Sequence, residues 1–514
     1  MTKSPKDNLF VLVKSLTKSE KRQFKLYVGR LGVNEDSKFL LLFNLLQKLK
    51  SYNESLILKA GFVKKQQLSN LKAHLYKQIL ISLRLNPSHQ NLRIQLREQL
   101  DFATILYHKG LYKQSLKLLD KAKVLAILNH EKNIAYEIVE LEKVIESQFI
   151  TRSLSNRANE LTVQAKELSA QNVIASKLSN LSLQLYGLFL KTGYVKNDEE
   201  YKKVTNYFNK RMPAFKIEKL GFREKLWLYK SYLWYSFLTQ DFKSCYKYSR
   251  KWVDLFHDNK KMISLNPVFF LRGYQYLLEA LFFIKHHQKF KSALNQFEVI
   301  TQKSDFPRDD NIDGLIFLYL YSNKINLHFI EGTFSEGLPL VNEVLNRLNQ
   351  HINQIDEHHI MMFYYKIASL YFGNGDFNNS IHYLSKIINN KSLHMREDLM
   401  CFSRILNLDA HYEAGLDYQL DSLIKSTYKF LIKMEDLYAV QKEMILFLRS
   451  LGDIFPNEIK SAFRKLHKKL LVYENHPYES RAFLYLDIIS WLESKIENKS
   501  TGDIIKEKFT KSNL

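Results

Sequence analysis

The sequence predicts an all-α protein of stacked antiparallel helix hairpins, and three observations predict it. Glycine and proline are scarce, 16 and 8 in 514 residues, whereas a sheet protein needs Gly- and Asn-rich turns between many short strands. Apolar residues fall at helical rather than alternating spacing, as in the stripe Leu68, Leu71, Leu75 and Ile79. A turn motif also recurs: a small or polar residue, any residue, an aromatic, two residues, then a small residue. It reads Gly110-Leu-Tyr112-x-x-Ser115, Gln240-Asp-Phe242-x-x-Cys245, Gln288-Lys-Phe290-x-x-Ala293, Gly332-Thr-Phe334-x-x-Gly337 and Gly375-Asp-Phe377-x-x-Ser380. A motif returning every 20 to 50 residues marks stacked supersecondary units, each too small to bury its apolar face alone.

Taken in chain order, residues 1–88 read as a basic N-terminal helical domain. Thr17-Lys-Ser-Glu20 is a capping box and starts a helix that stops near Gly29. A second helix is expected from Asp36 to Lys50 and a short one after Asn53. Gly61 then turns the chain into a helix over Lys64–Leu85, a helix-turn-helix-like arrangement closed by Asn86-Pro87. Residues 89–497 read as the hairpin array, helical but without a recognisable turn motif between about 125 and 210. Pro477 precedes an expected capping helix over Tyr478–Ile496, and 498–514 reads as a polar, frayed tail.

Within the array, residue types follow position. Ala103 and Ser115, then Ala368 and Ser380, stand where two helices of a hairpin would cross, and small side chains let the axes approach. Cys245 takes the same small position, Gly337 does so in a degenerate copy followed by Pro339, and Gly415 turns without the aromatic. These hairpins resemble tetratricopeptide repeats, most clearly over Met361–Ile387, where Ala368, Tyr371, Gly375, Phe377, Ser380, Leu384 and Ile387 occupy the family's positions. The resemblance spans roughly residues 90–440 and implies a right-handed superhelical solenoid. From Gln240 on, turns recur every 40 to 48 residues, longer than the family's usual repeat of about 34.

The resemblance implies a concave face, lined by the first helix of each hairpin, that takes a protein or peptide. Groove residues would then be Trp227, Lys230, Trp234, Phe237, Phe282, Lys285, Asn326, Tyr365 and Phe372, with His286 and Phe329 beside them. Aromatics with lysines supply stacking area and a charge-assisted handle. Lys230 and Asn326 resemble part of the family's carboxylate clamp, which is incomplete here.

The net charge of +23 is uneven: residues 1–90 hold 17 Lys/Arg against 5 Asp/Glu, +12 of the total. Lys18, Lys21, Arg22 and Lys25 share one helix face. With Lys64, Lys65 and Lys72 they are candidate nucleic-acid contacts, since phosphate binding draws on such stripes. A solvated lysine-rich face is the plainer alternative.

Catalytic constellations are absent from the sequence. It has no phosphate-binding G-x-x-x-x-G-K-[ST] loop and no H-E-x-x-H. His286-His287 and His358-His359 are adjacent pairs expected on different sides of a helix, and Asp309, Asp310 and Asp313 lack the Gly and Glu of a calcium loop. No enzyme activity, cofactor or metal is expected. Cys245 and Cys401 are too few for a disulfide framework, and the greasiest stretch, Val268–Ile284, contains Arg272 and Glu279. A cytoplasmic scaffold follows as the expectation, with a nucleic-acid-associated regulator as the alternative.

Overall fold

The computed structural model describes residues 7–30, 32, 37–86, 89, 91–148, 156–350, 355–390, 397–433, 439–451, 454–455, 457–483 and 487–512. Among them every regular element is helical. The chain divides into two compact units, Met1–Ala165 and Lys166–Leu514.

The first unit holds α1 (Asn8–Ser15), α2 (Lys18–Arg30), α3 (Lys38–Lys48), α4 (Glu54–Lys59), α5 (Lys65–Arg84), α6 (Leu92–His108), α7 (Tyr112–Leu128) and α8 (Lys132–Gln148). The capping box forms as expected: Thr17 N–H donates to Glu20 Oε2 at 2.7 Å, and Glu20 N–H donates to Thr17 Oγ1 at 3.2 Å. Asn53 caps α4 through Leu56 N–H at 3.2 Å. Gly61, at φ +77°, makes the turn before α5. One apolar cluster unites this head, with Phe24, Phe43, Leu75 and Ile79 at 1% exposure or less. Asp36 and Pro87 lie outside the described residues, and α3 begins after Ser37.

α9 (Arg157–Thr192) leads into the second unit. There follow α10 (Asp198–Arg211), α11 (Phe222–Leu238), α12 (Phe242–Asp258), α13 (Lys261–Leu265), α14 (Pro267–Phe283), α15 (His287–Gln302), α16 (Asp310–Glu331), α17 (Phe334–Gly337) and α18 (Pro339–Gln350). The unit ends with α19 (Glu357–Gly373), α20 (Phe377–Ile388), α21 (Glu397–Glu413), α22 (Asp417–Lys433), α23 (Ala439–Ser450), α24 (Ile459–Leu471), α25 (Ile488–Glu497) and α26 (Thr501–Ser512). Packing follows chain order, α11 on α12, α14 on α15, α19 on α20, α21 on α22, until α26 returns to α16.

One backbone device closes these helix pairs. After α11, Gln240 N–H donates to Phe237 O and Asp241 N–H to Ser236 O, at 3.1 and 2.9 Å. The same two bonds recur at Gly110/Leu111, His130/Glu131, Lys285/His286, Gly375/Asp376 and Gly415/Leu416. This is the Schellman cap, and its first residue must be left-handed. All of these turn residues have φ between +54° and +83°.

The expected crossings are tight. Ser115 Oγ donates to Ala103 O at 2.8 Å. Cys245, Ala368 and Ser380 are fully buried. A Cβ on Gly337 would stand 2.9 Å from Leu370 Cδ2.

Four expectations need correction. The third turn is at Lys285 and not Gln288, which lies inside α15, because the cap is set by left-handed backbone and a lysine adopts it here. A further turn of the same kind, at His130, falls where no motif was legible. The capping helix begins at Ile488, where Asp487 Oδ1 accepts Ser490 N–H at 3.0 Å, ten residues past the expected Tyr478; Leu484, within the expected span, lies outside the described residues. The frayed tail is instead α26. Ser500 Oγ accepts Asp503 N–H at 3.0 Å to start it, and Ile504 and Ile505 are buried.

Candidate functional site

Helices α11, α14, α16 and α19 are apolar nearly all round. On α16, Ile316 through Tyr321 are buried in succession, the pattern of a helix covered on every side. Their partners bury a single face, as α12 does with Cys245, Ser249, Trp252 and Phe256. Polar groups on the central helices are therefore forced into the interior, and there they meet.

With α9, these four helices line a cavity of about 220 Å³. α9 supplies Tyr186 and Phe189, α11 supplies Trp234 and Phe237, and α14 supplies Arg272, Gln275, Tyr276 and Glu279. Tyr319 comes from α16, while His358, His359 and Lys366 come from α19. Its walls are mutually packed rings: Trp234 lies 4.7 Å from Tyr186, 5.4 Å from Phe189 and 5.6 Å from Tyr276, centroid to centroid.

A polar ladder crosses the helices beside it. Asn323 Nδ2 donates to Gln275 Oε1 and to Tyr319 O, both at 2.8 Å. Asn326 Nδ2 donates to Asn323 Oδ1 at 3.2 Å, and Asn326 Oδ1 accepts from the Lys366 ammonium. Burial, with Glu279 opposing it, pulls the Lys366 ammonium down to a pKa of about 8. Burial raises the Tyr319 hydroxyl, and the Arg272 guanidinium that hydrogen-bonds it works against the rise. Asp356, which caps α19, is held at about 2 by its hydrogen bond from His359. Trp234 is 6% exposed, and its indole N–H has no partner among the described residues.

A second, more apolar cleft of about 340 Å³ lies between the helix ends and α26. Phe282, Phe329 and Phe372 line it with Ile505 and Phe509 of α26. His287 packs edge-on against Phe509 at 4.4 Å, and its Nε2 is hydrogen-bonded to Glu331 Oε1 at 2.8 Å. Lys508 reaches Glu493 at 2.5 Å and Ser490 at 3.0 Å. A Cβ on Gly332 would stand 2.6 Å from the carbonyl oxygen of Gly502, so the helix sits directly on that turn.

The expected groove residues thus divide. Trp234 and Phe237 line the first cavity; Phe282, Lys285 and Phe372 line the α26 cleft. Asn326 and Tyr365 are buried, at 7% and 3% exposure, and Asn326 spends its amide on the ladder. Lys230 stacks over Trp227 at 5.0 Å, and burial, aided by Arg272, lowers it to about 8. Trp227 itself packs edge-on against Phe269 at 5.5 Å. Most of these rings are wall or core rather than an open groove floor. Two histidines expected to diverge, His358 and His359, line one cavity with ring centroids 5.6 Å apart.

The remaining candidates fall out as packing or capping. Asp309 caps α16 through Ile312 N–H, and Asp313 pairs with Arg308 at 2.8 Å. Among the described residues no cluster of three metal-ligating side chains occurs. In the head, Lys18, Arg22, Lys25, Lys64 and Lys65 are exposed and Lys21 is half-buried. Lys72 is turned inward, paired with Asp7 and bonded to Tyr52 Oη at 3.0 Å.

Reasoning from sequence missed Arg272, Lys366 and the Trp234 indole as a group. The signal was present: Arg272 and Glu279 interrupt the most apolar stretch of the chain, and Lys366 interrupts Met361–Phe372. Among the described residues, no helix is long and apolar enough to cross a membrane. No protein-family model, no curated protein and no solved structure matches this chain.

Proposed function

We propose that this chain is a non-enzymatic scaffold whose helix pairs stack as a right-handed, TPR-like solenoid and bind a protein or peptide. One observation carries the reading. The row Phe282, Phe329 and Phe372, one ring from each successive central helix, is already covered by an amphipathic helix of the chain's own, α26. A face that seats α26 has the chemistry to seat a partner helix, read through apolar anchors spaced along one stripe. Repetition of the Schellman turn supports stacking of like units. Affinity purification of the full-length chain, with and without nuclease, tests it. A protein partner should survive nuclease and be lost with Lys285→Glu, an exposed change at the cleft; no partner, or indifference to Lys285→Glu, removes the reading.

The head carries a second reading. Lys18, Arg22 and Lys25 stand exposed on one face of α2, a stripe suited to nucleic-acid phosphates. Affinity of the full-length chain for a duplex should then fall steeply with log salt. A flat salt response, or no loss with Arg22→Gln, ends that reading.

A further inference from the structure

The cavity of the second unit gathers cationic donors on an aromatic lining. Its aromatic lining carries Arg272 and Lys366 against a single carboxylate, Glu279. His358 and His359 also line it, the second with its ring bonded to Asp356 at 2.5 Å. Lys366 is held in place by Asn326, at the end of the Gln275–Asn323–Asn326 ladder, so its ammonium is positioned before any ligand arrives. With a pKa of about 8 it is mostly charged at neutral pH while short of water. Trp234 is more than nine-tenths buried and lines the cavity, and among the described residues its indole N–H has no partner. Buried donors are almost always satisfied, by protein or by whatever fills the space beside them. Arg272 is exposed, which marks the open side.

We propose that this cavity binds a small aromatic carboxylate, its ring against Trp234, Phe237 and Tyr276 and its anionic end on Arg272, Lys366 and the Trp234 indole N–H. Each part of the lining matches one part of that ligand. Stacked and edge-on rings favour a flat apolar body. A carboxylate accepts from a guanidinium, an ammonium and an indole together, and such charge-assisted bonds are the strong ones. Glu279 sets the sign of the selection: one fixed negative charge disfavours dianions, while the two cations still favour a single carboxylate over a neutral group. A compact volume of about 220 Å³ excludes large ligands. The site is distinct from the α26 cleft and does not depend on the partner-binding reading.

The carboxylate could belong to a free small acid or to the C-terminus of a peptide ending in an aromatic residue. Isothermal titration of the full-length chain separates them, with 3-phenylpropionate, 3-phenylpropionamide, and a pentapeptide ending in Phe as its acid and as its amide. Saturable binding of 3-phenylpropionate, at least about tenfold tighter than its amide, establishes the free acid; binding of the peptide acid alone, with its amide silent, assigns the carboxylate to a chain end. Arg272→Gln, on an exposed side chain, should weaken either by about tenfold or more with an unchanged melting temperature. Trp234→Phe, which keeps the ring and deletes the donor, should weaken it less. No saturable binding of any probe into the millimolar range, equal binding of acid and amide, or an indifferent Arg272→Gln overturns the proposal.

Discussion

One buried charge cluster in each unit makes a contrast. In the first, Lys123 and Glu142 are both buried and meet at 2.6 Å, and Arg157 reaches the other carboxylate oxygen at 3.3 Å. Burial raises the Glu142 carboxyl, and Lys123 and Arg157 oppose it. Both Glu142 oxygens are thus answered. In the second unit, where Lys495 and Trp491 answer Glu413, other demands stay open: the Trp234 indole and both Asp409 oxygens are buried without partners among the described residues. Lys230 and Lys366 sit desolvated at about 8. A closed set of charges locks one packing. An open set costs stability, and around a cavity that cost is recovered only when a ligand enters.

Breaking the closed set should have the largest effect. Lys123→Met leaves Glu142 buried beside Arg157 alone and should cost about 3–5 kcal/mol, since removing one partner strands the other. The double change Lys123→Met/Glu142→Met should recover most of it. Urea midpoints of the three chains decide this; a single-variant loss below about 1 kcal/mol would mean that the pair behaves as if it were at the surface.

The next effect compares two turns of the second unit. Gly332 and Gly375 both have left-handed backbone, but only Gly332 faces another chain segment, the Gly502 carbonyl. Gly375→Ala should cost the conformational penalty alone, about 1 kcal/mol. Gly332→Ala adds a collision with α26 and should cost about 2–3 kcal/mol. Hydrogen exchange should show 501–512 losing protection in Gly332→Ala and keeping it in Gly375→Ala. Equal exchange in both would mean that α26 is not held by this contact.

How much of this was legible follows from what each feature demands of its residues. The crossing residues Ala103, Ser115, Ala368 and Ser380 could be read because close helix axes admit only small side chains. The turns at Gly110, Gly332, Gly375 and Gly415 could be read because glycine reaches left-handed backbone freely. His130 and Lys285 take the same conformation at a cost that tertiary packing covers, and that leaves no mark in the sequence. α26 did leave one, Ser500-Thr-Gly-Asp503 before Ile504 and Ile505, but its lysines made it look like tail. The cavity was illegible because its walls come from residues some 180 positions apart, Tyr186 to Lys366. Only interruptions of apolar helices by Arg272 and Lys366 hinted at it.

Asp409 sharpens the meaning of an open charge, since it lies on α21 and lines neither cavity. Burial pushes its carboxyl well above the ordinary range. The folded chain therefore binds a proton that the unfolded chain has released, and stability falls as pH rises from the unfolded value, near 4, through the raised one. Asp409→Asn should remove that loss, stabilising the chain at neutral pH by on the order of 1–2 kcal/mol. Its advantage should vanish in acid. Melting curves from pH 4 to 8 check this, and an Asp409→Asn chain less stable than wild type at pH 7 would show that the carboxylate has a use.

The smallest effect has the opposite sign with pH and separates cation from acid. Lys230 is lowered from 10.5 to about 8, so between those values the unfolded chain binds more protons and stability rises with pH. Buried Tyr274, raised from 10 to about 12, favours the folded state below 10 and withdraws that support as pH climbs through 12. The stability of wild type relative to Lys230→Met should therefore improve from pH 8 to 10, by on the order of 1 kcal/mol for a half-buried ammonium. Both chains should turn downward together above pH 10, because Tyr274 is common to them. A wild-type chain that loses ground to Lys230→Met over pH 8 to 10 would place that ammonium among anionic partners. Lys230 would then belong with the answered charges of the first unit.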